Sequence, residues 1–116
     1  MDELKTQTSA DQARARLAMS MTAFALGMSP ARVATLARGP NAAAFARQLA
    51  MYLCHVAFEM SLARVAAAFA RDRSTVGHAC HVIEDRRDDP AFDGWIASLE
   101  NALRDAPAPP RDENAA

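Results

Sequence analysis

At 116 residues the chain has room for one hydrophobic core and not for two. Hydrophobic residues make up 51% of it, but alanine supplies much of that share, so the core must lean on a few Leu, Met and Val and the five Phe. The net charge of −1 hides an asymmetry: residues 32–87 hold eight Arg against four acids (+4), and residues 88–116 hold two Arg against seven acids (−5).

Those numbers exclude several classes. No apolar run approaches the roughly twenty residues of a membrane span, and the polar, acidic start MDELKTQTSADQ is not a secretory signal. Alternating β-branched runs are missing, so an all-α fold is expected. Two cysteines without a signal are expected to be reduced core thiols in a cytoplasmic protein.

In chain order, residues 1–10 are polar, without periodicity, and expected to be disordered. Asp11 can cap a first helix whose buried face would be Leu17, Met21, Phe24 and Met28, with Gly27 or Met28 ending it. Ser29 and Pro30 open a second helix, PARVATLAR, with Val33, Leu36 and Ala37 on one face, and Gly39-Pro40 stops it. Asn41 caps the next, whose wide apolar arc of Phe45, Leu49, Tyr52, Leu53 and Val56 predicts the central helix. Ser61 caps a short helix burying Leu62, Val65, Ala66 and Phe69, and Arg71-Asp72-Arg73-Ser74 breaks it. From an Asp72 cap a further helix buries Val76, Ala79, Cys80 and Ile83, leaving Arg73, Ser74, Gly77 and His81 pointing elsewhere. After Arg86 to Pro90 a final amphipathic helix carries Phe92, Trp95 or Ile96, Leu99 and Leu103. The Pro- and acid-rich residues 105–116 read as a flexible tail, so one domain of about six helices should span 11–104.

A short buried helix, a tight polar turn and a polar-tipped second helix over Ser61 to Glu84 is the pattern of a helix-turn-helix, and the basic centre fits a nucleic-acid partner. The residues ARQLAMYL (46–53), SLARVAAAF (61–69), DRSTVGHAC (72–80) and Ile83-Glu84 resemble the C-terminal DNA-binding domain of the bacterial replication initiator DnaA. That resemblance implies a helix-turn-helix binding double-stranded DNA, with the Asp72 helix in the major groove. The sequence departs from the family at three places. Its turn, Phe69-Ala70-Arg71-Asp72, is one residue shorter and lacks the family's two glycines; Arg73 stands where the family has His; and there is no G-x-x-x-x-G-K-[ST] nucleotide-binding motif.

Carried over residue by residue, the resemblance implies that Arg73, Ser74 and Thr75 meet base edges or phosphates, with Arg73 favouring guanine. Asp72 would both cap its helix and accept a cytosine amino proton. Arg47 matches the family arginine that enters the minor groove, while Arg64 and Arg71 are expected at phosphates. His78 either reaches a phosphate or sits half-buried, and Gly77 would allow close approach of DNA or a neighbouring helix. Cys54, His55, His78, Cys80 and His81 lack the pair spacing of a zinc site, and neither metal nor cofactor is expected. The Met residues read as core filler.

The expected function is a non-enzymatic, sequence-specific transcriptional regulator, first of all an activator. The resemblance extends to the DNA-binding half of gene transfer agent activators, which implies RNA polymerase or a sigma-like protein as partner. The alternatives are a replication modulator competing at DnaA boxes, and a helical adaptor binding protein through the Trp95 helix.

Overall fold

The structure, a computed structural model, describes residues 2–27, 29 and 41–107. Among them the chain is all-helical: α1 (Asp2–Leu26), α2 (Asn41–Ala57), α3 (Leu62–Phe69), α4 (Arg73–Arg86) and α5 (Pro90–Asp105). The all-α expectation holds. The expected helix PARVATLAR, with Val33, Leu36 and Ala37, lies outside the described residues, as do Met28 and tail residues 108–116.

α2 is the central element, packed against each of the other four helices. Leu49, Met51, Tyr52 and Leu53 on it are fully buried, where they meet Val65 of α3, Val76 and Ile83 of α4, and Ile96 and Leu103 of α5. On α5 the buried residue is Ile96, with Trp95 only partly covered.

The first helix corrects the sequence reading twice. It begins at Asp2, so Asp11 lies inside it and caps nothing. Its packing face is also rotated from the expected one: Ala15, Ala18, Thr22 and Ala23 are buried, whereas Leu17 is 37% and Phe24 88% exposed. Side-chain size misleads here, because small residues let α1 approach α2 closely. Ala23 packs on Ala46, and the Cys54 thiol reaches the backbone carbonyl of Arg14 at 3.8 Å. A leucine on that face would hold the helices apart.

Local chemistry explains the other boundaries. The Ser61 hydroxyl accepts from the Arg64 amide at 3.2 Å, satisfying a donor in the first turn of α3. α3 ends at Ala70 in the left-handed region, φ 54° and ψ 48°, and the Arg71 amide closes back on the Ala66 carbonyl at 2.9 Å. That is how a turn without the family's two glycines is made: one alanine takes the strained conformation itself. Asp72 holds the cap position of α4 in extended backbone, but its side chain makes no capping hydrogen bond, against expectation. Residue type locates a cap; it does not fix the rotamer of an exposed carboxylate. At α5 the Asp89 carboxylate does accept from the Phe92 amide, at 3.3 Å, and Pro90 fills the first turn, where no amide is missed.

Candidate nucleic-acid interface

The geometry of α3 and α4 sorts the candidate residues. Val76, Ala79 and Ile83 anchor α4 on the core. Its N-terminal end then projects outward, so that Asp72, Arg73, Ser74, Thr75 and His78 are all exposed. His78 is therefore a surface residue, and Cys80 is only half-buried. Gly77 is half-buried, yet a Cβ built on it meets nothing within 4 Å, so no neighbouring helix requires glycine there. One turn further on, His81 faces Asp85 at 3.4 Å across the exposed surface.

Arg71, in the turn before this tip, lies within electrostatic range of Arg47. Arg47 is half-buried on α2, and its pKa is lowered first by burial and then by the charge of Arg71. Arg71 buries its Nε without a hydrogen-bond partner among the described residues. A buried N–H without an acceptor costs free energy, and the like charge of Arg47 nearby adds to it. An anion such as a phosphate oxygen would offset the like charge.

Arg64 is placed otherwise. Its Nε and Nη2 donate to the two carboxylate oxygens of Asp11 at 2.9 and 2.6 Å, and Arg14 Nη1 adds a third bond at 3.0 Å. Asp11 is 5% exposed, and its carboxyl is held below the usual range, chiefly by the Arg64 hydrogen bonds working against burial. The guanidinium expected at phosphate instead fastens α3 to α1, a bidentate fork on a buried carboxylate being stronger than a solvated contact.

Sequence reasoning missed a further cluster at the other end of α4. Arg87, just past the helix, donates through Nε to Asp93 at 2.5 Å. Its Nη1 donates to the Tyr52 hydroxyl at 2.9 Å and to Glu100 at 3.1 Å. Tyr52 and Glu100 are 2% and 5% exposed. Arg86 beside it lays its guanidinium 4.6 Å from the Phe45 ring centroid and 4.4 Å from that of Phe92. The available signal was Glu100 on the buried side of an amphipathic helix, since a buried carboxylate needs a cation.

The thiols are chemically quiet: burial pushes Cys54 up to about 12 and Cys80 up to about 11. Among the described residues no three His, Cys, Asp or Glu side chains come together to hold a metal ion. His55 instead meets the Met60 carbonyl through Nδ1 at 2.7 Å, bracing the loop in which Glu59 adopts φ 55°.

A buried short helix, a left-handed turn and a second helix with an exposed polar tip, carried on a helical support, define a helix-turn-helix domain. The chain belongs to the family of the bacterial DnaA protein helix-turn-helix, whose pattern matches residues 19–83. It is 38% identical over 66 residues to the chromosomal replication initiator protein DnaA of Lachnoclostridium phytofermentans, spanning 55% of this chain and 15% of that protein. To the same initiator from Symbiobacterium thermophilum it is 42% identical over 66 residues, spanning 55% and 14%. A crystal structure of a DNA replication initiation factor superposes with a TM-score of 0.76 at 25% identity, over 88% of this chain and 32% of that one. Replication initiator DnaA bound to AMPPCP and single-stranded DNA shares the fold, with a TM-score of 0.73 at 24% identity over 90% and 32%.

Proposed function

We propose that this domain binds double-stranded DNA sequence-specifically, with the N-terminal end of α4 in the major groove. One observation carries the reading: Asp72, Arg73, Ser74 and Thr75 form an exposed polar tip at the start of α4, with Arg71 in the turn before it and Arg47 within range of the Arg71 charge. Such an arrangement favours a polyanion that presents phosphates at the arginines and base edges at the tip. His78 extends the same surface by one turn. Arg64 is withdrawn from the contact set by its bond to Asp11.

Transcriptional regulation, activation first, is the output we assign, with RNA polymerase or a sigma-like protein as partner. The support is Arg73, which replaces the family's histidine at the tip and so favours a site different from the replication boxes.

Fluorescence anisotropy with duplexes selected from a random pool tests the reading. Log affinity should fall linearly with log salt, by roughly 0.9 for each phosphate neutralised. A flat response between low and physiological salt would refute duplex binding. Arg73→Ala should cost about 1–3 kcal/mol on the selected site and relax one base position. Uniform weakening over all sequences would make Arg73 a phosphate contact. Genome-wide footprinting then separates promoter sites from replication-origin boxes.

A further inference from the structure

We infer that Arg87 is the positioning residue that sets the angle of α4 relative to Arg47, acting through its bond to Tyr52. The inference rests on the duplex-binding reading above. Reading two grooves at once requires the α4 tip and Arg47 on α2 to keep a fixed separation and direction. Val76, Ala79 and Ile83 hold α4 on the core along one face, and its C-terminal end, 14 residues from the tip, is the pivot that fixes its tilt about those contacts.

Two consecutive arginines hold the pivot, and both bridge α4 to α2 and α5 together. Arg87 bonds Tyr52 on α2 and Asp93 and Glu100 on α5. Arg86 stacks on Phe45 of α2 and Phe92 of α5. Phe45 lies two residues before Arg47, so the stack ties the pivot to the segment that carries the second groove contact. Tyr52 and Glu100 are buried, which fixes their positions, and the planar guanidinium fork of Arg87 transmits that fixity to the end of α4.

With Val76 pinned in the core roughly 4.5 Å along the axis from Arg73, a tilt of about 5° set at Arg87 moves the Arg73 backbone by roughly 0.4 Å and its guanidinium, further out, by more. Base contacts tolerate only a few tenths of an ångström. Phosphate contacts from flexible side chains tolerate far more. Loosening the pivot should therefore erase discrimination between sequences while leaving general affinity for duplex intact.

The test compares wild type, Tyr52→Phe and Arg87→Lys on the selected duplex and on a scrambled one, with melting by circular dichroism alongside. Tyr52→Phe keeps the buried ring and removes only the hydroxyl, so it preserves the test if Arg87→Lys fails to fold. The expected result is binding to the selected duplex weaker by roughly tenfold, about the loss of one base contact, with scrambled-duplex affinity unchanged. A lower melting temperature with the selected-to-scrambled ratio unchanged would make the cluster merely structural and overturn the inference alone. Wild type without salt-dependent duplex affinity would overturn it together with the reading it rests on.

Discussion

Replacing Asp11 by Asn isolates the bond between α1 and the helix-turn-helix. The carboxylate accepts from Arg64 at 2.9 and 2.6 Å and from Arg14 at 3.0 Å while 5% exposed. Hydrogen bonds to charged groups contribute about 1.5–3 kcal/mol each. The total must be discounted, because the Arg64 side chain is 33% exposed and water can solvate it once the carboxylate is gone. Asn also keeps one acceptor. The expected loss at pH 7 is about 2 kcal/mol, or roughly a 10 °C drop in Tm for a domain of this size. The pH dependence follows from the depressed pKa. A carboxyl whose folded pKa lies below its unfolded value of about 3.9 stabilises fully above that value, and the contribution fades as pH falls through the folded pKa. Urea titrations should therefore show a constant gap between wild type and Asp11→Asn from pH 7 to about 5, closing below about pH 4. A gap of equal size at pH 7 and pH 3.5, or none at pH 7, would refute the reasoning. Arg64→Ala should reproduce the stability loss and leave the salt dependence of DNA binding unchanged, whereas Arg71→Ala should do the reverse.

The remaining expectations address strain, an orphaned group and the thiols. Ala70→Gly relieves a left-handed alanine at φ 54° and should stabilise by about 1 kcal/mol in urea titration; a loss of stability would mean that the turn does not adopt this conformation. Thr22 is fully buried with a hydroxyl that finds no partner among the described residues, so Thr22→Val should be neutral or stabilising by about 1 kcal/mol, and a loss beyond that would reveal a hydrogen bond. With thiols raised to about 12 at Cys54 and about 11 at Cys80, a disulfide reagent at pH 8 should label the native protein slowly and the unfolded protein at once. Rapid labelling of Cys54 in the native state would contradict its burial.

How much of this was legible in the sequence depends on the kind of interaction. Periodicity of large apolar residues located α2, α3, α4 and α5, because Leu49, Val65, Val76, Ile83, Ile96 and Leu103 are both the hydrophobic positions and the buried ones. The same rule failed on α1, where close approach selects Ala15, Ala18 and Ala23 and leaves Phe24 outside. The exposed tip was readable for a local reason: Arg73 to Thr75 fall in the first turn of a helix whose core face lies on the other side. Partnerships across the chain were not. Nothing near Arg64 announces Asp11, 53 positions away, and nothing near Arg87 announces Tyr52, 35 positions away. Such bonds exist only once the helices have packed, and in each case the cue is a charged or polar residue on a face that packing buries.

The alanine seam between α1 and α2 has a consequence for behaviour with temperature. Alanine methyl groups release little apolar surface to water when the helices separate, so this junction adds little to the heat capacity of unfolding. A small heat-capacity increment flattens the curve of stability against temperature. The contacts along the seam are instead close-range dispersion between backbones and methyl groups, which do not weaken on cooling as hydrophobic burial does. In that junction cold resistance comes from closeness rather than from bulk.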